Sequence, residues 1–445
     1  MATQDSTRWK LSLTSNRLLQ FLLTNRYVQP TVHVVSVSLF AWALWTAFTG
    51  TSNPNENFAS VAFFSVWWSS VMLVSLVLFG RVWCYVCPMG AIVRFTQRFG
   101  LERHFPMYST GPKLKLFGVS LSVIMISAAV FVVFGRMPMY KLGVVFDPQL
   151  IGIYFLGFTA LAVGVSLVYQ RQAFCRYVCP ATGVMSVTAR LSPFEIRQNA
   201  DTGVQCATLE YKSDYLSTDR RCVSCMKCTT QNPERDVQLR ARWPGAAAVR
   251  QRIPLPDEAL LVIILWAVFP IDHVLGDHVE VFVPFGDPWL SVIPYFASIA
   301  AAIGAYLLAN AVGTWWSGLD WSDSFTMFAY AYLPYSIMYM LGNHVIPNWL
   351  EEGGATLNAL FNGIGIPLSL PEALASESTI AAWDWFNATI WPWLGVLWGA
   401  VIVWFAAKRL TDVDGRAVRA IVPHLVLLVL TTAWIEGHLG SLGLF

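Results

Sequence analysis

Charge is what this chain has least of. Only 13% of its 445 residues are Asp, Glu, Lys or Arg, where a soluble domain carries about 25%. With 56% of residues apolar, a wholly water-facing surface is excluded, and much of the exterior is expected to face lipid. The net charge of +2 says little about partners, and no nucleic-acid partner is expected. No Ser-His-Asp set, phosphate loop or carboxylate pair stands out, so acid–base or nucleophilic catalysis has no evident seat. A cleavable signal peptide is not expected either. The opening residues 1–32 carry Arg8, Lys10, Arg17 and Arg26 around a short apolar patch, Leu18 to Leu23, with no long apolar run leading into a small-residue cleavage site. They read as an amphipathic lead-in on the membrane surface.

Long apolar stretches are what the chain does have. A spanning helix needs about 20 apolar residues. Nine stretches qualify, roughly 33–50, 59–80, 116–135, 150–170, 258–272, 288–313, 325–343, 386–407 and 419–438. Basic residues accumulate on the cytoplasmic side of membrane proteins. With the N-terminus inside, segments 1–32, 81–115, 171–257 and 408–419 hold 27 of the 29 Lys and Arg, leaving only Arg136 and Lys141. The opposite face is acidic, with Asp272, Asp277, Glu280, Asp287, Glu351, Glu352, Glu372, Glu377 and Asp384. With Cys222, Cys225 and Cys228 spaced in the polar stretch 171–257 as in bacterial ferredoxins, the expected fold is an all-α membrane protein of about nine transmembrane helices with a small cytoplasmic ferredoxin-like iron–sulfur domain. The expected organisation is the lead-in 1–32, a membrane domain 33–170 containing a first Cys-Pro loop at 81–115, a polar cysteine-rich cytoplasmic domain 171–257, and a C-terminal membrane domain 258–445 with an outer cap at 344–385.

Cysteine is scarce outside three tight groups, which hold seven of the eight. Disulfide frameworks belong to small exported domains, and close Cys-x-x-Cys pairs on membrane-protein loops suit metal thiolates better. One run is Cys222-x2-Cys225-x2-Cys228. Bacterial ferredoxins use Cys-x2-Cys-x2-Cys-x3-Cys-Pro; here Asn232 stands where the last Cys is expected, followed by Pro233. The missing ligand must come from elsewhere, either Cys206 or a cysteine of a Cys-Pro loop. Those loops echo each other: Arg81-Val-Trp-Cys84-Tyr-Val-Cys87-Pro88 ends one apolar stretch, and Phe174-Cys175-Arg-Tyr-Val-Cys179-Pro180 ends another, as in a duplicated helix–cysteine-loop–helix unit. Eight cysteines make two sets of four, so Cys84, Cys87, Cys175, Cys179, Cys206, Cys222, Cys225 and Cys228 are the expected ligands of two 4Fe-4S clusters. Zinc also accepts four cysteines in such pairs, but the three-Cys run and the Cys-Pro endings favour iron–sulfur. Arg81 and Arg176 lie beside the cysteines, either to offset cluster charge or as ordinary positive-inside anchors.

These two Cys-Pro loops and the Cys-x2-Cys-x2-Cys run resemble the polytopic membrane ferredoxins. That group includes the quinol-oxidising membrane subunit of periplasmic nitrate reduction, the electron donor to nitrous oxide reductase and a copper-handling cytochrome oxidase assembly protein. The likeness covers roughly residues 15–245. It implies cytoplasm-facing 4Fe-4S clusters in a prokaryotic inner membrane and exchange of electrons with quinone or quinol and a redox protein partner, as in a quinol dehydrogenase component. Two features depart from the group: the first pair is Cys-x2-Cys where Cys-x3-Cys is frequent, and there is one three-Cys run instead of two full runs.

The second half has no cysteine but five of the seven histidines. An intramembrane or interfacial histidine is a functional hypothesis by default. His33, His273, His278, His344, His424 and His438 are candidates for haem b or copper; the alternative is that water or backbone groups satisfy them. Trp67 and Trp68 could stack on a quinone, with packing or lipid contact the simpler role. The expected function is membrane-bound electron transfer between the quinone pool and a partner. A metalloenzyme assembly factor supplied with electrons is the second reading. A transporter is the third, weakened by the few charges within spans.

Overall fold

In the computed structural model, the described residues are 25–101, 143–198, 237–249, 256–272 and 292–441, with 18, 21, 22, 103, 113–116, 119–122 and 132. They are mostly helical and form two compact units. One comprises residues 1–41, 75–123 and 157–247; the other 42–74, 124–156 and 248–445. Five helices are long and apolar enough to cross a membrane: Val28–Thr49, Pro148–Val168, Val292–Ser317, Glu377–Leu410 and Asp414–Gly437. Phe58–Trp68 and Glu258–Ile271 are shorter apolar helices. The chain is a multi-pass membrane protein.

Large apolar side chains lie exposed along the long helices: Trp45 on Val28–Thr49, Leu308 on Val292–Ser317, Leu397 on Trp391–Leu410 and Leu430 on Asp414–Ser441. In water each would lose the stabilisation that burial provides; in lipid each is at home. The apolar pattern runs around these helices and is not confined to one stripe, as expected for a membrane span.

The unit containing 248–445 packs its helices closely. A Cβ on Gly313 would lie 2.6 Å from the Ala420 carbonyl oxygen, so the Val292–Ser317 and Asp414–Ser441 helices touch backbone to backbone there. Small residues at such crossings provide the packing that associates helices in lipid. Two buried polar contacts cross between segments of this unit: Tyr330 Oη donates to Glu258 Oε2 at 2.8 Å, and Asn387 Nδ2 to Asn343 Oδ1 at 3.0 Å.

Two departures from an all-α chain occur among the described residues. Lys113–Leu116 pairs antiparallel with Val119–Ser122, with Leu114 opposite Leu121. The expected span at 116–135 is thus strand at 116 and 119–122. The reason is local: Lys-Leu-Lys-Leu and Val-Ser-Leu-Ser alternate polar and apolar residues with the period of a strand. The second sheet pairs Phe194–Gln198 with Val237–Ala241. It ties together the two ends of the 199–236 segment, which contains Cys206, Cys222, Cys225 and Cys228. Those four cysteines lie outside the described residues.

Candidate functional site

The site is built from two similar pieces of the unit that holds residues 75–123 and 157–247. In each, a short helical turn carries the first cysteine, and the second cysteine sits at the N-cap of a helix that begins with proline. Cys87 precedes Pro88–Thr96, and Cys179 precedes Pro180–Thr188. Proline suits the first helical position because its missing N–H would have no intrahelical partner there. The two cap conformations nearly coincide: φ −61°, ψ 125° at Cys87 and φ −57°, ψ 123° at Cys179.

The unequal spacing is absorbed in the preceding turn. Cys84 lies in the α-helical turn Trp83–Val86, whereas Cys175 lies in the π-helical turn Phe174–Val178. The Cys179 N–H bonds to the Phe174 carbonyl at 2.8 Å, five residues back. A π turn accommodates one more residue than an α turn, so Cys-x3-Cys and Cys-x2-Cys can end at equivalent caps. Each piece is entered through left-handed backbone. Gly80 has φ 62°, and Arg171 and Gln172 have φ 60° and 58°. Gly80 and Arg171 each stand four residues before the first cysteine of their loop.

Cross-links join the two loops. Arg81 Nη2 donates to the Thr182 carbonyl at 2.9 Å, and Cys84 Sγ lies 3.5 Å from Met185 Sδ. The Thr182 hydroxyl donates to the Cys175 carbonyl. Behind the second loop, Val93, Ala162 and Phe174 are fully buried, with Phe158, Val165, Cys175, Val178 and Cys179 packed against them. Arg242 holds the end of the neighbouring helix through the Ala189 carbonyl at 2.7 Å and the Ser192 carbonyl at 2.8 Å.

All four thiols sense one another. The charge of each of the six cysteine pairs among Cys84, Cys87, Cys175 and Cys179 is felt by a member of the pair. Burial pushes every one of them up: Cys87 to about 12, Cys179 to about 11, and Cys84 and Cys175 likewise above the ordinary thiol range. Several groups work against burial. The N–H groups of Gly90 and Met89 favour the thiolate of Cys87. Those of Ala181 and Thr182, with the Thr182 hydroxyl, do the same for Cys179. This is the usual effect of a helix N-terminus on a thiol. Arg81 and then Arg94 favour the charged form of Cys84, and Arg94 that of Cys175. Arg94 is a residue that reading the loops alone misses. The available signal is its place on the Pro88–Thr96 helix, seven residues or two turns beyond Cys87, hence on the same helical face.

No three His, Cys, Asp or Glu among the described residues stand close enough to hold one metal ion. A zinc ion with sulfur ligands at about 2.3 Å requires such closeness. A cubane places each cysteine on a different iron, so its thiolates stand further apart yet remain in mutual electrostatic reach. The four free thiols fit that group by number and chemistry.

Each described histidine has its own contacts within its unit. His33 Nε2 lies 2.9 Å from the Tyr85 carbonyl. His424 is buried with Nδ1 3.1 Å from Tyr332 Oη, and His344 lies against the Tyr339 ring. His273 and His278 lie outside the described residues, as does the side chain of His438. Trp67 packs edge-on to Phe155 at 6.1 Å, with Trp68 beside it. In the other unit, a cavity of about 680 Å³ is lined by Asn53, Asn55, Glu56, Asn358, Asn362 and Glu372 among others, with no cysteine or histidine.

Residues 61–106 and 151–197 each match the family model described as a 4Fe-4S binding domain. The two matches contain the two Cys-Pro loops. Both segments are similar to 4Fe-4S binding domains. Among characterised relatives, YccM of Escherichia coli, named as a candidate electron transport protein, is 25% identical over 184 residues, covering 36% of this chain and 51% of YccM. Protein NirI of Paracoccus denitrificans is 24% identical, covering 44% of this chain and 30% of NirI. Regulatory protein NosR of Pseudomonas aeruginosa is 25% identical, covering 50% of this chain and 33% of NosR. The chain thus spans about half or less of the length of these relatives. No solved structure matches it.

Proposed function

We propose that this protein passes single electrons through two 4Fe-4S clusters, between the quinone pool and a redox partner. The convergence of Cys84, Cys87, Cys175 and Cys179 carries the reading. These four would hold one cluster, which supplies one-electron storage when bound. Spacing alone leaves either Cys206 or a cysteine of a Cys-Pro loop as the fourth ligand of the three-Cys run. With the four Cys-Pro cysteines together, Cys206 is assigned with Cys222, Cys225 and Cys228 to the second cluster. The name of YccM supports electron transport, and the ferredoxin spacing of the three-Cys run supports a second cubane.

The chain's own groups suit the task. Val93, Ala162 and Phe174 form an apolar wall against Cys175 and Cys179. N–H groups of two helix N-termini and the guanidinium groups of Arg81 and Arg94 stabilise negative charge on the thiolates. Electron transfer needs no further chemistry from them, so the absence of an acid–base pair in the sequence is no obstacle. The segregation of basic residues puts the N-terminus, both Cys-Pro loops and the 171–257 segment on the cytoplasmic side of the cell membrane.

The test is EPR with iron and acid-labile sulfide counts on anaerobically purified protein. About eight iron atoms per chain are expected. C84S and C175S should each remove about half of the iron and one EPR signal, and C222S the other half. Zinc without iron in the wild type would overturn the reading. Loss of the same signal from C84S and C222S would break the assignment of ligands to two separate sets.

A further inference from the structure

Electron transfer through the cysteines leaves one oxygen-lined recess without a role. It lies wholly within the unit of residues 42–74, 124–156 and 248–445. Asn55, Ser60, Glu352, Thr356 and Glu372 stand in its wall, and its volume is about 160 Å³. A water molecule occupies about 30 Å³ in the liquid, so the recess has room for an ion with a few waters. It adjoins the cavity of about 680 Å³ and shares Asn55, Ala355 and Glu372 with it.

Backbone bonds fix this wall. The Glu372 carbonyl accepts from the N–H groups of Gly354 at 3.0 Å and Ala355 at 3.3 Å. A Cβ on Gly354 would collide with the Pro371 carbonyl oxygen. Residues 371 and 372 therefore lie directly against the start of the Gly353–Gly363 helix. Asn57 caps the turn Phe58–Ser60, and its Nδ2 donates to the Thr46 carbonyl at 3.1 Å and the Thr51 carbonyl at 2.7 Å. That holds the loop carrying Asn55. The side-chain oxygens, by contrast, are uncommitted. Ser60 is 6% exposed, and its Oγ meets no partner. Thr356 is 4% exposed, and its hydroxyl bonds to no described residue. Buried hydroxyls are normally hydrogen-bonded, so two uncommitted ones in one wall point to a ligand. The carboxylates of Glu352 and Glu372 form no hydrogen bond or ion pair with a described residue. Residues 27–80 and 253–407 contain no Lys or Arg that could neutralise them.

We propose that this recess binds a calcium ion through the carboxylates of Glu352 and Glu372, with Asn55, Ser60 and Thr356 supplying neutral oxygens. Two carboxylates balance a divalent charge, and the set needs no third acidic, His or Cys ligand, in keeping with the lack of any such trio among the described residues. Calcium takes six to eight oxygens in irregular arrangements and completes its shell with water, whereas magnesium demands near-ideal octahedral geometry. No cysteine or histidine lines the recess, which disfavours zinc and copper. The bound ion ties segment 352–372 to the helix entry at 55–60. On the sidedness proposed above, the site opens away from the cytoplasm.

The experiment is calorimetric titration of CaCl2 into the purified full chain in detergent, at fixed ionic strength, after passage over a chelating resin. Iron is counted before and after, so that metal lost from the cysteines is recognised. Wild type is expected to show one saturable site with a Kd of about 10⁻⁴–10⁻³ M, the range of extracellular calcium modules. E352Q and E372Q should each weaken binding by about tenfold or more, because affinity follows ligand charge. Both side chains are exposed, so neither variant threatens the core. E377Q, at an exposed glutamate outside the wall, should stay within about twofold of wild type. CaCl2 should also raise the unfolding temperature of wild type and not of E372Q. No saturable binding in wild type, an unchanged Kd in E352Q or E372Q, or equal weakening in E377Q overturns the site. Binding of MgCl2 as tight as that of CaCl2 overturns the choice of calcium.

Discussion

Cys87 and Cys179 each combine two functions: each is the N-cap of its helix, and each supplies a thiol to the site. Both functions were visible in the sequence, since Cys-Pro places a sulfur at a helix start and proline at its first position. The cost of collecting four thiols was not visible. Without metal, burial holds all four in the neutral form. Cluster-free protein should therefore show little thiolate ultraviolet absorbance from these cysteines at pH 9, gaining it only toward about 11 and about 12 as Cys179 and Cys87 ionise. The sign for stability follows. A thiol with a raised native pKa stabilises the fold fully below its unfolded value, and that contribution is lost as pH rises through the native one. The melting temperature of cluster-free protein should accordingly fall from pH 9 upward, and metal-bound protein should not show this fall. Arg81 is the second residue-scale case. R81A removes a buried charged hydrogen bond to Thr182, worth about 1.5–3 kcal/mol, and a lower unfolding temperature in detergent is the expected result. The sequence singled out Arg81 and Arg176 by adjacency along the chain. Adjacency missed Arg94, because a helix returns a residue to the same face only after two turns.

At the scale of elements, the π turn at Phe174–Val178 explains a discrepancy that spacing alone left open. The two loops echo each other in sequence, yet one is Cys-x2-Cys and the other Cys-x3-Cys. The wider turn takes up the additional residue, and the caps that follow are the same. The entry to each loop is left-handed. Gly80 adopts φ 62° without penalty, and its Cβ position is open to within 3.4 Å of Ser192. G80A therefore meets conformational strain and little collision, and should destabilise the protein by about 1–2 kcal/mol in thermal or denaturant unfolding. An unchanged midpoint would show that the φ is not needed. Glycine at 80 is legible in the sequence as a turn residue. Arg171 and Gln172 are not, since side chains of that kind rarely take positive φ. Only the packing of the π turn that follows identifies the position.

At the scale of the whole molecule, the distribution of charge led to the fold class. Eight of the nine stretches read from the sequence coincide with helical segments, five of them long enough to span unaided. In the ninth, 116–135, the described residues 116 and 119–122 are strand, because a short alternating segment leads into the apolar run there. The orientation drawn from Lys and Arg is open to a direct check. Reporter domains fused after residue 257 should be active only in the cytoplasm, and those fused after residue 352 only on the far side; the reverse would invert the topology.

Amino-acid order alone determined the class of molecule and the number and spacing of the thiols. Those depend on composition, on charge sidedness and on contacts within a few residues. Which thiols come near one another was decided by tertiary structure, because the two loops lie about ninety residues apart in the chain. Only the packing of the Pro88–Thr96 helix on the Phe174–Val178 turn brings Cys84 and Cys87 to Cys175 and Cys179, and carries Arg94 with them.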